Sequence, residues 1–318
     1  MNLRERKVIK EYSASKSYFL ASLAIVILVS GCHRQSVAVD ESSYRQQLER
    51  WHTERAAELT GEDGWLTLVG LYWLKEGENR LGSDASNSIV LPQGKAPKFA
   101  GSLWLDKGVV KLEPAPQAGI KHDERVVESP LVLQADADGK PTVLTLGTLS
   151  FYVIKRGDQL GLRVKDRENP ARASFAGLDY FPVDLKWLIT ARFEPYNPPK
   201  MIPIVNVLGM VEEQPSPGRV TFDVAGKTYG IDAIAEKGSK ELFLIFKDET
   251  SGKETYGAGR YLYADAATPQ GTVTLDFNKA HNPPCAYTVY ATCPLPPSQN
   301  RLALRVEAGE KQYAKSTH

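Results

Sequence analysis

Hydrophobic residues recur with helical spacing near the start of the chain and with strand-like spacing over most of the remainder. Residues 41–60 predict one helix, because apolar side chains fall close to one face while charged residues fill the others. The residues of that apolar face are Tyr44, Leu48, Trp51 and Leu59. We expect Gly61 to end the helix, since glycine readily adopts the left-handed conformation of a C-cap.

Beyond this helix the pattern changes to short β-rich runs, separated by turns at intervals of about 8–12 residues, as is typical of sandwiches and barrels. Residues 101–114 predict a hairpin. A stretch rich in proline and charge at residues 166–200 divides the runs into two series. We therefore expect a mainly β fold in which the N-terminal helix is followed by a β-sandwich domain at residues 61–165, a linker or crossover at residues 166–200, and a second β domain at residues 201–318.

The first 31 residues have the three parts of a secretory signal peptide. A basic segment precedes an apolar run of 11 residues from Phe19 to Val29, which is shorter than the roughly 20 residues needed to span a bilayer. The sequence Val29-Ser30-Gly31-Cys32 fits the lipobox of lipoprotein signal peptidase substrates. We expect a signal peptide at residues 1–31, cleavage before Cys32, lipid on that cysteine, and a tether at residues 32–40.

This N-terminal pattern also predicts where the protein resides. Several acyl chains on one cysteine give a stable membrane anchor. His33, rather than an acidic residue, follows Cys32, and this favours the outer membrane of a Gram-negative cell. We therefore expect a cell-envelope lipoprotein anchored to the outer membrane and facing the periplasm. An ordinary signal peptide or a short uncleaved anchor is the alternative.

Charge and composition narrow the range of partners. The first 31 residues carry five of the 39 basic and two of the 38 acidic residues, so the remaining chain has a formal net charge of −2. Since there is no basic run either, we do not expect nucleic acid as a partner. A protein or small-molecule partner stays unidentified. At 42% hydrophobic and 24% charged residues, the chain is able to bury an ordinary globular core.

The sequence contains no standard catalytic signature. It has no G-x-S-x-G, no H-E-x-x-H, no Walker loop and no Rossmann glycine series. We accordingly expect no cofactor and no metal. Among the acidic residues, Glu241, Asp248 and Glu249 are expected to be solvated strand ends, and residues 248–253 predict a hairpin loop.

The segment of residues 275–302 is unusual because it carries five prolines together with Cys285 and Cys293. The prolines exclude regular helix or central strand for much of it, so other contacts or a covalent bond must hold the loop. An exported protein meets an oxidising compartment, so we expect a Cys285–Cys293 disulfide, which would stabilise so short a loop by roughly 2–3 kcal/mol. Three alternatives stay open: a thiol nucleophile with His281 as its base, a zinc site made of both cysteines, His281 and Asp276, and two buried inert thiols.

Two stretches resemble the signatures of one family. The first, from Gly64 to Asp84, reads GWLTLVGLYWLKEGENRLGSD. The second runs from Gly259-Arg260 through LDFNKAHNPPCAYTVYATCPLPPSQNRL to Glu307-Ala308-Gly309-Glu310-Lys311. Both resemble the signatures of an uncharacterised bacterial and archaeal family catalogued as domain of unknown function 1684. The resemblance extends over residues 44–313. The family has no established activity, so the resemblance implies kinship and not chemistry. His281 stands where we expect an aromatic residue in this family.

The residues that match the family signatures form a candidate polar cluster: Arg260, Asp276, Asn278, Asn282, Cys285, Cys293, Asn300 and Arg301. Asp276 and Asn278 are two positions apart, so on a strand they share one face. The guanidinium of Arg260 lies among tyrosines in the sequence, where it can stack on a ring or grip a carboxylate. The catalytic candidates are Arg260, Asp276 and Cys285, and the binding candidates are Arg260, Asp276, Asn278, Asn300 and Arg301. The alternative is a structural ion pair between Asp276 and Arg260 or Arg301.

Residues 60–112 also resemble the forkhead-associated fold, in the pattern of Glu78 to Asp84 followed by Asn87 to Pro92. This resemblance implies a β-sandwich. Ser83 stands where that family has a phosphate-binding arginine, and no histidine follows near Gly101, so the contacts that a phosphopeptide needs are missing.

Two functional hypotheses follow. The first is an envelope lipoprotein without enzymatic activity that binds a ligand or a protein through its second domain, and it is motivated by the absence of catalytic signatures. The second is a hydrolase or transferase of unfamiliar type with its site at Arg260, Asp276 and Cys285. A pocket in which these three side chains converge would favour the enzyme.

Overall fold

The computed structural model describes residues 40–236 and 238–314, so the predicted signal peptide and Cys32 lie outside the described residues. Its helices are α1 (Glu41–Thr60) and the short α2 (Pro170–Ala173), together with single 3-10 turns at Trp65–Thr67, Asp136–Asp138, Leu185–Trp187, Phe277–Lys279, Pro284–Ala286 and Ser298–Asn300. The strands in chain order are β1 (Leu68–Trp73), β2 (Gly77–Gly82), β3 (Ile89–Val90), β4 (Gly101–Asp106), β5 (Val109–Pro114), β6 (Lys121–His122), β7 (Arg125–Val126), β8 (Leu131–Leu133), β9 (Leu144–Leu146), β10 (Leu149–Arg156), β11 (Gln159–Asp166), β12 (Leu188–Val205), β13 (Val211–Val224), β14 (Lys227–Asp232), β15 (Ile234–Ala235), β16 (Leu242–Phe246), β17 (Arg260–Ala264) and β18 (Thr272–Asp276). The predicted class, mainly β with an N-terminal helix, is confirmed.

Helix α1 has the predicted bounds but a different buried face and a different C-cap. Its buried residues are Tyr44, Leu48, Arg55 and Leu59, so a charged side chain takes the place expected for Trp51. Gly61 ends the helix in an extended conformation with φ −58° and ψ 168°, which corrects the left-handed cap expected from sequence. A Cβ at Gly61 would lie 3.0 Å from the carbonyl oxygen of Ala57, so close approach explains the glycine. Within the described ranges, no helix is both long and apolar enough to cross a membrane.

The first half of the chain forms a β-sandwich. A five-stranded sheet in the order β3-β2-β4-β5-β8 and a six-stranded sheet in the order β1-β11-β10-β9-β6-β7 contribute to one buried cluster. Leu103 and Leu112 come from the first sheet, and Phe151 and Leu162 from the second. The predicted hairpin at residues 101–114 is confirmed, with β4 and β5 antiparallel.

The second half contains a four-stranded sheet in the order β14-β13-β12-β18 and a three-stranded sheet in the order β15-β16-β17. Strand β16 separates two buried clusters, because side chains alternate across a strand. Leu244 and Phe246 pack into one cluster with Phe277, whereas Phe243 and Ile245 belong to a second cluster that includes both cysteines. The cavity described below lies on the Phe243 and Ile245 side.

Two expectations for the connecting segments need correction. From Leu188 onward the expected linker is strand β12, and its Pro198 and Pro199 lie where the pairing with β13 shifts register between Pro195 and Lys200. The loop between β16 and β17 has Asp248 buried rather than solvated, because its carboxylate accepts hydrogen bonds from Thr250, Ser251 and the Val306 N–H. A carboxylate with this many partners is satisfied away from water.

Buried polar contacts connect α1 to the C-terminal half. Arg55 donates from Nε to Glu310 Oε1 at 3.1 Å and from Nη2 to the Asn282 carbonyl at 2.9 Å. Glu310 is fully buried and also accepts from the Asn282 N–H and the Tyr287 hydroxyl, each at 2.8 Å. At the other end of the helix, the Tyr44 hydroxyl donates to Asp276 at 2.7 Å. These contacts fix α1 as one wall of the cavity.

Candidate functional site

A cavity of about 490 Å³ lies where α1, the sandwich and the second half of the chain meet. We call it the arginine cavity, after the three arginines in its lining: Arg55 from α1, Arg156 from β10 and Arg163 from β11. Cavities at the junction of separate structural units are the usual place for small-molecule sites.

Arg163 is placed in the cavity by strand alternation. Its neighbours Leu162 and Val164 pack into the sandwich core, so its side chain lies on the opposite face of β11. Arg163 is only 3% exposed and makes two long hydrogen bonds, to the Tyr152 hydroxyl at 3.4 Å and to Thr292 Oγ1 at 3.3 Å. Its Nε has no hydrogen-bond partner, and over residues 40–236 and 238–314 no carboxylate lies within ion-pair distance of it.

Arg156 and Arg163 converge on one hydroxyl group. Arg156 donates from Nε to Thr292 Oγ1 at 3.0 Å, so this oxygen accepts from both guanidinium groups. A hydroxyl oxygen has two lone pairs, and both are used here. The hydroxyl proton of Thr292 is therefore left to donate to a third group, so Arg156, Arg163 and Thr292 form a cluster of donors.

The remaining arginines of the cavity already have counter-ions. Arg156 pairs with Asp136 at 2.9 Å, and Arg55 pairs with Glu310 at 3.1 Å and with Glu58 at 3.3 Å. Arg163 is thus the one of the three without a carboxylate partner among the described residues, and its guanidinium lies over the Trp65 ring, 5.6 Å from the centroid.

An aromatic wall forms the other side of the cavity. Tyr263 stacks on Phe243 with ring centroids 4.8 Å apart, and on His281 at 6.0 Å with an interplanar angle of 14°. Tyr261 packs edge-on against Phe243 at 4.9 Å. Flat and apolar faces next to a cluster of donors suit a ligand with an anionic end and an apolar body.

His281 is neutral in this setting. Burial, and after it the positive charge of Arg55, lowers its pKa to about 3. Its Nδ1 lies 3.1 Å from the Lys279 carbonyl oxygen, which can only accept, so Nδ1 carries the hydrogen and Nε2 is the acceptor. The imidazole brings no positive charge to the cavity above about pH 4.

Glu236 is the acidic group of the cavity lining that has no ion pair among the described residues. Burial raises its pKa, while a hydrogen bond with Tyr263 acts in the opposite direction. Its carboxyl therefore takes up a proton at a higher pH than an ordinary glutamate.

The predicted disulfide is absent, because Cys285 and Cys293 are free and buried. The Cys285 N–H donates to Cys293 Sγ at 3.1 Å, so the two residues are adjacent without a covalent bond. The hydrogen bond from the Cys293 thiol lowers the pKa of Cys285, whereas burial and that same bond raise the pKa of Cys293. Cys293 lines the arginine cavity as a protonated thiol. A hydrogen bond, rather than the expected disulfide, connects the two cysteines of this loop.

The catalytic candidates from the sequence lie in three different environments. Arg260 is fully buried, pairs with Asp248 at 3.5 Å and donates to the carbonyls of Val306 and Ala308. Asp276 accepts from Tyr44 and pairs with Lys279 at 3.4 Å. Arg260, Asp276 and Cys285 do not converge in the arginine cavity, and the expected ion pair of Asp276 with Arg260 or Arg301 is replaced by these contacts.

The three asparagines among the remaining predicted residues hold the fold together. Asn278 donates to the Tyr44 hydroxyl at 2.9 Å, and Asn282 donates to the Lys311 carbonyl at 2.7 Å. Asn300 bonds with the backbone of Asp232 and Ile245, and Arg301 is exposed. Across the described part of the chain, no group of three His, Cys, Asp or Glu side chains is arranged to hold a metal ion.

Sequence reasoning placed His281 and Cys293 in the candidate segment but missed all three arginines and Thr292. Two weak signals were present. Arg55 falls at helical spacing on the apolar face of α1, seven residues after Leu48 and four before Leu59. Thr292 immediately precedes a cysteine of the family signature. Arg163 gave no signal, since an arginine on one face of an alternating strand is usually solvated.

Comparisons with known proteins identify a family match and a similar protein of known structure. The sequence model of the family described as "Protein of unknown function (DUF1684)" matches residues 173–311. An uncharacterized protein from Haloarcula marismortui, solved by solution NMR, is 32% identical, with 45% of this chain and 80% of that chain covered and a TM-score of 0.38. No curated protein matches the chain. The family match includes His281 and Thr292 but begins after the three cavity arginines in the chain.

Proposed function

This chain belongs to the family described as protein of unknown function DUF1684, and we propose that it is a cell-envelope lipoprotein that binds a small monoanionic ligand in the arginine cavity. The proposal combines the N-terminal sequence pattern with one structural observation. That observation is the unpaired, buried guanidinium of Arg163.

A buried charge without a partner is costly for a fold. Arginine is almost never fully buried unless it is paired, because removing a charge from water costs several kcal/mol even after relaxation. Arg163 is 3% exposed, its Nε is unpartnered, and its two hydrogen bonds are long. A carboxylate or similar anion in the cavity supplies the missing counter-ion and accepts from Arg163, Arg156 and Thr292 together.

Charge balance supports a single negative charge on the ligand. Arg55 and Arg156 are already neutralised by Glu310 and Asp136. One monoanion compensates the charge of Arg163, whereas a dianion would add an excess negative charge to a lining that also holds Glu58 and Glu236.

The location of the protein is supported by sequence alone. A signal-like segment of 31 residues precedes Cys32, and Val29-Ser30-Gly31-Cys32 fits a lipobox. Lipid on Cys32 would anchor the binding cavity to a membrane, with His33 favouring the outer one. Replacing Cys32 with alanine should leave an unlipidated, uncleaved precursor. Normal processing and membrane retention of that variant would overturn this part of the proposal.

The binding proposal is tested by calorimetry with hexanoate, benzoate and methanesulfonate as probes. We expect at least one of them to bind, with Arg163→Met weakening its affinity more than tenfold, which corresponds to about 1.4 kcal/mol. Glu236→Gln removes a negative charge from the lining and should leave binding equal or tighter. Arg301→Met is the matched control, because it removes an exposed arginine outside the cavity.

A stability measurement on the same variants separates a binding residue from a structural one. Removing an unpaired buried charge relieves its desolvation, so Arg163→Met should stabilise the ligand-free protein by about 0.5–2 kcal/mol. Destabilisation by Arg163→Met, or anion binding that does not depend on Arg163, contradicts the proposal. So does the failure of all three probes to bind.

A further inference from the structure

A second, smaller chamber of about 160 Å³ lies beside the arginine cavity. The two spaces share the lining residues Arg156, Glu236, Phe243, Thr292 and Pro294. The donor cluster at Thr292 therefore borders both spaces.

The floor of this chamber is aliphatic. Ile204 from β12, Ile234 from β15 and Ile245 from β16 line it together with Phe243, and each of the four is at most 5% exposed. Strand alternation on β16 directs Phe243 and Ile245 to this side, away from the core that Leu244 joins.

Away from the residues shared with the arginine cavity, the polar side chains of the chamber wall make contacts within the protein. Asn206 Oδ1 accepts from the N–H groups of Leu208 and Met210, at 2.9 and 3.1 Å. Glu212 accepts from the Gly157 N–H, and Gln214 donates to the other oxygen of Glu212. What the chamber offers a ligand is thus mainly its isoleucine and phenylalanine surface.

We propose that the ligand is an amphiphile, with a monoanionic head group at Arg163 and Thr292. Its aliphatic tail lies in the smaller chamber, which we call the isoleucine chamber after Ile204, Ile234 and Ile245. This inference rests on the proposed anion-binding function and adds the chemical class of the ligand. A linear carboxylate of medium chain length is the simplest compound of this class. The head group satisfies the buried guanidinium, and the tail removes apolar surface from water.

The test is a calorimetric series of linear carboxylates from acetate to decanoate, each below its micelle concentration, on the full chain. Each methylene that enters the chamber should tighten binding by roughly fourfold, until the chamber is full and affinity reaches a plateau. Ile234→Phe fills the chamber and should weaken decanoate binding at least tenfold. Val289→Phe adds the same ring at an exposed position outside both spaces and is the control.

The outcomes separate the two proposals. If acetate binds as tightly as decanoate, and both depend on Arg163, the anion-binding function stands and the amphiphile is excluded. If benzoate binds more tightly than every linear acid, the aromatic wall rather than the isoleucine chamber selects the ligand, and the inference is overturned. If no carboxylate binding depends on Arg163, the proposed function itself fails. Should Ile234→Phe fold poorly, Ile245→Phe repeats the test on the adjacent strand.

Discussion

Arg55 and Glu310, 255 residues apart in the sequence, form an ion pair of 3.1 Å in the interior of the protein. The carboxylate is fully buried, and the guanidinium also donates to the Asn282 carbonyl at 2.9 Å. The pair attaches helix α1 to the C-terminal segment and so positions one wall of the arginine cavity. Arg55 is thus a buried arginine with a carboxylate partner, whereas Arg163 has none among the described residues.

We predict that Glu310→Gln destabilises the protein by about 3–5 kcal/mol, because it leaves the Arg55 charge buried without its main partner. Urea unfolding followed by circular dichroism measures the change. The control is Glu254→Gln, which breaks the exposed 2.6 Å pair with Arg305 and should cost less than about 1 kcal/mol. Equal losses for the two variants would show that the buried pair does not hold α1.

Gly309 tests how tightly the C-terminal segment is packed. Its φ is +76°, and a Cβ there would lie 2.2 Å from the Ala280 carbonyl oxygen. Gly226 has the same φ of +76° but nothing within 4 Å of the added atom. Gly226→Ala should therefore cost about 1–2 kcal/mol from backbone strain alone, and Gly309→Ala distinctly more from the added clash. Thermal unfolding of the two variants gives the difference, and similar losses would contradict the close packing.

The low pKa of His281 makes the fold sensitive to acid. An unfolded histidine takes up a proton near pH 6.5, whereas the folded His281 does so only at about 3, so its contribution to stability is lost as pH falls from about 6.5 towards 3. His281→Phe keeps a ring in the stack with Tyr263 and should flatten this part of the pH dependence. Urea unfolding at pH 7 and pH 4 measures it, with His122→Phe, outside the cavity, as the control. An unchanged pH dependence in His281→Phe would show that the imidazole is not buried as described.

The cysteines give a prediction about chemical reactivity. Both are free, at most 4% exposed and in contact with each other. Alkylation in urea without a reductant should therefore add one alkyl group to each of Cys285 and Cys293. In native buffer near neutral pH the reaction should be at least tenfold slower, because both sulfurs are buried and burial raises the pKa of Cys293. Mass spectrometry of the peptides measures the alkylation of each cysteine. Unalkylated peptides whose combined mass is two hydrogens below that of the free thiols would show that Cys285 and Cys293 form a disulfide.

Local periodicity determined the parts of the fold that depend on neighbours in sequence. The spacing of Tyr44, Leu48 and Leu59 predicted helix α1 with its observed bounds, and the alternation at residues 101–114 predicted the β4–β5 hairpin. These elements can be predicted from sequence because their hydrogen bonds and apolar faces involve residues that are close together in the chain. The signal-like segment and the lipobox are likewise properties of the sequence, and they stay predictions.

The tertiary structure alone decided which polar residues are structural and which lack a partner. Arg260 and Asp276 resembled a site in sequence, yet Asp248 and Tyr44 satisfy them. Arg163 gave no signal in the sequence, yet in the fold it is 3% exposed and donates to Thr292, which lies 129 residues later in the chain. Strand alternation fixes the face on which a side chain lies, but its burial depends on what packs against that face. The chain positions that do so are far apart in sequence, so the unpaired charge of Arg163 appears only in the folded protein.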